Sequence, residues 1–110
     1  MAGFVKGDLV VIPFPFSDLS GQKKRPALVL ASLIGNDLIL CQITTQNRSD
    51  PYSVTLQQCD LDSGTLTQNC FIRPNRLFTA DQSIILYRLG KVSRQKQEEV
   101  LSRLRDILGT

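Results

Sequence analysis

The residues best equipped for chemistry are cationic. Lys23-Lys24-Arg25 forms a compact run after a glycine-containing loop, and Arg73-Pro74-Asn75-Arg76 forms a second basic spot. Such groups bind anions, phosphates above all, and an arginine offers paired planar donors that a lysine lacks. Either run would serve equally well as an ordinary solvated face. The chain has no histidine, which removes imidazole acid–base chemistry, histidine triads and histidine metal ligation from a single chain. The three cysteines, Cys41, Cys59 and Cys70, show no Cys-x-x-Cys spacing. Neither a zinc site nor a disulfide framework is expected, and a reducing compartment is. Cys41 sits in an apolar run and reads as core rather than as a nucleophile. The carboxylates are scattered, so the expectation is no metal and no other cofactor.

These residues need a scaffold, and the chain is long enough for one. Its 110 residues suit a single domain over 1–110, with 42% hydrophobic and 21% charged residues. The net charge of +3 and pI near 9.0 lean towards acidic partners such as nucleic acid. Apolar stretches such as Ile84-Ile85-Leu86 fall far short of the ~20 residues of a membrane span. The N-terminus, Met1 to Asp8, lacks the apolar stretch of a secretory signal. A soluble cytoplasmic domain without membrane contact is expected.

The first half reads as β. Leu9-Val10-Val11-Ile12 is a β-branched run opened by Gly7-Asp8 and closed by Pro13, since neither Pro13 nor Pro15 can donate to a central ladder. After turn residues 17–22, Pro26 to Ala31 is a second strand, Gly35-Asn36-Asp37 a turn, and Leu38 to Ile43 a third strand. A loop at 46–51 precedes a fourth strand, Tyr52 to Leu56, which alternates cleanly. Further strands are read at Asn69 to Arg73 and at Ile85 to Leu89, the latter ended by Gly90. The period then changes: Ser93 suits an N-cap, Val100, Leu101, Leu104, Ile107 and Leu108 recur at helical spacing, and Gly109 stops the helix. Short strands and one terminal helix predict an α+β, mainly β domain: a compact barrel with a C-terminal helix.

Four segments in register resemble the MazF/PemK family of type II toxin–antitoxin endoribonucleases. They are Gly7-Asp8-Leu9-Val10-Val11-Ile12-Pro13-Phe14 with Arg25-Pro26-Ala27-Leu28-Val29-Leu30, then Ile43-Thr44-Thr45-Gln46, Thr79-Ala80-Asp81, and Leu86-Tyr87-Arg88-Leu89-Gly90. The resemblance implies an SH3-like barrel and a homodimer that cuts single-stranded RNA (mRNA) without a protein-held metal, blocking translation and growth. It further implies an acidic cognate antitoxin and a toxin–antitoxin complex that binds DNA. Carried over position by position, it makes Arg25 and Thr44 the catalytic residues.

A ribonuclease with neither metal nor histidine attacks with the RNA's own 2′-hydroxyl, through a state carrying extra negative charge on phosphorus oxygens. Charge stabilisation is then the main lever, and a guanidinium suits it. Pro26 restrains Arg25 to extended backbone, and the Thr44 hydroxyl can donate to a phosphate oxygen. Lys23, Lys24, Arg73 and Arg76 are the candidate phosphate contacts. Thr45, Gln46 and Asn75 are candidates for base edges, and Ser17 and Asp18 for one rim of the groove. Phe16, Tyr52, Phe71 and Phe78 offer ring faces for stacking or for core, Tyr52 being the most exposed in expectation. The sequence departs from the family in two places. Asn75 stands where some members carry an acid assigned as a base, and an early histidine found in some relatives is missing. The alternative reading is therefore a non-catalytic barrel that binds nucleic acid or protein, such as a topoisomerase-poison-like toxin or a decayed homologue.

Overall fold

Period-2 alternation divides each apolar run of the first half between two cores. The computed structural model describes residues 3–14, 23–46 and 49–109, with the backbone alone for Phe14 and Lys23. It contains β1 (Asp8–Phe14), β2 (Lys23–Ser32), β3 (Asp37–Thr44), β4 (Val54–Leu56), β5 (Leu61–Gly64), β6 (Cys70–Asp81), β7 (Tyr87–Val92) and α1 (Arg94–Leu108). The strands form one curled sheet, a half-barrel, in the order β4-β6-β3-β2-β1-β7-β5 with every pairing antiparallel. On one face Leu9, Leu28, Cys41, Ile43, Ile72 and Val92 pack with Val100 of α1. On the other, Val10, Ile12, Ala27, Val29, Leu38 and Leu40 are covered by Phe4, Phe78 and Ile85. Strands buried on both faces read as unbroken apolar runs, as β1, β2 and β3 do. The mainly β barrel-like architecture with a C-terminal helix is the one expected. Among the described residues no helix is long and apolar enough to cross a membrane.

Several boundaries differ from the sequence reading. Pro13 belongs to β1, paired with Lys24. Strand backbones alternate sides, and the Val11 carbonyl accepts from the Leu86 N–H on the β7 side. Pro13, two residues on, turns its donor-less nitrogen to that side, where the β1–β7 ladder has already ended. Gly90 does not end β7 but lies within it, because β5 crosses so closely that a Cβ there would meet the Ser63 carbonyl oxygen. The fourth strand is only Val54–Leu56, with Tyr52 in the preceding turn, and β5 was not foreseen. The strand expected at Asn69 to Arg73 runs on to Asp81 through a bulge: Gln42 pairs with Arg73 but Cys41 with Leu77, so Pro74, Asn75 and Arg76 are extra residues. α1 begins where expected. The Ser93 side chain accepts from Lys96 N–H, and Gly109 closes the helix at φ 77.

Candidate functional site

A proline opens the cleft. Val11 turns its backbone groups to β7, so its cross-strand partner Pro26 turns its own towards β3. With no N–H to give, Pro26 ends the β2–β3 ladder, whose last pair is Ala27 and Gln42. Continuing that register by two residues sets Arg25 opposite Thr44 across the parted strands. Both line a cleft of about 360 Å³ together with Lys24, Pro26, Ile43, Thr45 and Gln46.

The two central side chains carry unused hydrogen-bonding capacity. The Arg25 Nε is buried and has no hydrogen-bond partner among the described residues. Such a donor costs stability unless something binds there. Thr44 is buried, and its Oγ1 accepts from the Gln46 N–H at 3.2 Å, which leaves the hydroxyl proton to donate. Lys24, Thr45 and Gln46 are exposed at the rim. The arrangement suits an anion: a guanidinium and a hydroxyl line one cleft, with a lysine at the entrance.

The second basic spot is not part of this wall. Arg73 donates from Nε to Asp50 at 3.1 Å, with both side chains largely covered. The Tyr52 N–H and Arg73 Nε both donate to the Asp50 carboxylate. The Tyr52 N–H foremost, then Arg73 and last the nearby Asn75 amide, hold it below the usual carboxylate range against an opposing desolvation cost. Arg76 donates to Gln42 Oε1 at 3.4 Å. The sequence reading missed Asp50 altogether, and only its place in the Asp50-Pro51 turn marked it. Ser17, Asp18 and Phe16 lie outside the described residues, as does the side chain of Lys23. Of the other rings, Tyr52 is 45% exposed, as expected, while Phe71 and Phe78 are half-buried, Phe78 against the second core. Cys41 is fully buried, and burial pushes its thiol up to about 12. Among the described residues no three His, Cys, Asp or Glu side chains gather in a way that could hold a metal ion.

A family model described as PemK-like, MazF-like toxin of type II toxin–antitoxin system matches residues 5–108. A search of the curated proteins returns no match. Among solved structures the chain is similar to MazF (Form-I) from Deinococcus radiodurans, at 22% identity over 100% of both chains with a TM-score of 0.76. It is similar to MazE-MazF (Form-III) from the same organism, at 23% identity over 99% of each chain with a TM-score of 0.76. An endoribonuclease in complex with its cognate antitoxin from a mycobacterial species matches at 17% identity, over 97% of this chain and 96% of that one, with a TM-score of 0.76.

Proposed function

Because this chain belongs to the PemK-like, MazF-like toxin family of type II toxin–antitoxin systems, we propose that it is an endoribonuclease toxin that cuts single-stranded RNA in the Arg25–Thr44 cleft. The observation that carries this reading is the buried Arg25 Nε, without a hydrogen-bond partner among the described residues, in a cleft shared with the Thr44 hydroxyl. The RNA 2′-hydroxyl attacks the adjacent phosphorus, forming the 2′-O–P bond as the bond to the 5′-oxygen breaks. The guanidinium and the threonine hydroxyl take up the charge that grows on the non-bridging oxygens. Arginine stays protonated at ordinary pH, so the 2′-hydroxyl proton leaves to water rather than to Arg25. A proton is returned to the departing 5′-oxygen. The products are a 2′,3′-cyclic phosphate, or the phosphate from its later hydrolysis, and a 5′-hydroxyl. Metal ions have no role in this scheme. Lys23 and Lys24 guide the backbone, and Thr45 and Gln46 at the rim meet base edges.

The solved relatives complexed with antitoxins support a further part of the proposal: an acidic antitoxin segment covers the basic cleft and competes with RNA. The working unit is a homodimer acting in the cytoplasm, where mRNA is exposed, and light scattering at micromolar concentration tests the oligomeric state. The test of the activity is incubation of pure protein with mixed-sequence RNA followed by end-group analysis. Cyclic phosphate or 3′-phosphate with 5′-hydroxyl ends supports the reading; 5′-phosphate ends contradict it. One observation favours the alternative of a non-catalytic binding barrel: Arg73 is tied to Asp50, and position 75 is an amide. Intact RNA that nevertheless binds tightly to the protein would decide for that alternative.

A further inference from the structure

Asp50 sits where the chain continues from the cleft wall at Thr44–Gln46. Its carboxylate accepts from the Tyr52 N–H at 2.9 Å and from Arg73 Nε at 3.1 Å, and the nearby Asn75 amide also favours its charged form. The side chains of Arg73 and Asp50 are only 17% and 10% exposed, so the pair is screened far less than a surface pair. The surrounding segment is fastened elsewhere too. From α1, Arg103 Nη1 donates to the Pro51 and Ser53 carbonyl oxygens at 3.1 and 3.4 Å. Ser49 enters the segment at φ 54, a left-handed conformation uncommon for a serine.

We propose that Asp50 is a positioning residue for the cleft, its carboxylate matched across Arg73 to an amide at Asn75. The match holds residues 49–53 in place and keeps Arg73 out of the set of cations that meet the substrate. One guanidinium neutralises one carboxylate. A second carboxylate at position 75 would crowd like charge onto Arg73, whereas an amide brings N–H donors and no charge. The free positive charge of the described cleft then belongs to Arg25 and Lys24, and the bulge at Pro74–Arg76 serves as a strut. The kinetic part of this inference rests on the ribonuclease reading; the structural part does not.

The test exchanges the two groups: Asp50→Asn, Asn75→Asp, and the double variant carrying both. Amide hydrogen exchange at Tyr52 and Ser53 is followed in the free protein, and KM and kcat are measured on RNA. Each single variant is expected to speed exchange and to raise KM about tenfold, with kcat changing less than about threefold. The double variant, again one carboxylate and one amide around Arg73, is expected to return both readouts to within about threefold of wild type. If Asp50→Asn does not fold, recovery of folding in the double variant supports the match, and a double variant that also stays unfolded overturns it. Effects that simply multiply in the double variant, or exchange at Tyr52 and Ser53 that ignores Asp50→Asn, would likewise overturn the proposal. A wild-type protein that cuts no RNA would sink the ribonuclease reading alone, since hydrogen exchange still tests Asp50.

Discussion

Thr44 shows how much a residue's surroundings decide. A threonine at a strand end is usually a β-former, and nothing in its own type marks it out. Its position opposite Arg25, with the oxygen engaged by the Gln46 N–H, leaves the hydroxyl proton available to donate in the cleft. Thr44→Val keeps the shape and removes that donor, together with the acceptor of the exposed Gln46 N–H, which water can replace. It is expected to lower the cleavage rate about a hundredfold, as loss of one transition-state donor typically does, while the melting temperature stays close to wild type. Parallel loss of rate and of melting temperature would return Thr44 to a structural role. Cys41 illustrates the opposite case, a reactive group that burial silences. Its folded value of about 12 lies above the ~8.5 of an unfolded thiol. Its contribution to stability is therefore complete below about pH 8.5 and declines as pH rises towards about 12, because only the unfolded chain loses the proton readily. In melts across alkaline pH, Cys41→Ala should start less stable from its small cavity and lose less stability than wild type as pH rises.

Among the elements, prolines and glycines account for most of the distance between sequence and structure. The core runs of β1, β2 and β3, the turn at Gly35 and the capped helix were legible because alternation and end signals are local. Pro13, Pro26 and Gly90 were harder to place, because their meaning depends on which neighbour lies on which side. Pro13 is harmless where β7 has ended, Pro26 parts two strands, and Gly90 permits a crossing that no local pattern announces. The same holds for the site. Arg25 and Thr44 were within reach through the register of four motifs, whereas Asp50 reaches Arg73 across 23 positions of sequence. Gly90→Ala tests the crossing. Its Cβ would press on backbone rather than on a yielding side chain, so β5 must shift, at a cost of about 1–3 kcal/mol in denaturant unfolding. A neutral substitution would mean that β5 sits more loosely against β7 than described.

At the scale of the whole molecule, a modest net charge of +3 matters where it is placed: among the described residues Lys24 and Arg25 line one cleft. Three phosphate contacts, from Lys23, Lys24 and Arg25, predict a slope of roughly −2 in the logarithm of RNA affinity against the logarithm of salt, at ~0.7 per contact on a single strand. Binding titrations over a range of salt concentrations measure it, and a flat profile would count against the cleft as the binding site. The central claim is that the Arg25 guanidinium stabilises the transition state of a reaction that needs no metal. Its most direct measurement is single-turnover cleavage of one RNA in excess chelator by wild type, Arg25→Ala and Arg25→Lys, each variant first shown to melt like wild type. The account predicts undiminished cutting by wild type and a loss of about a hundredfold or more in Arg25→Ala. Arg25→Lys should recover little, because a point charge does not replace paired planar donors. Cleavage that stops with chelation, or an Arg25→Ala variant that cuts as fast as wild type, would contradict it.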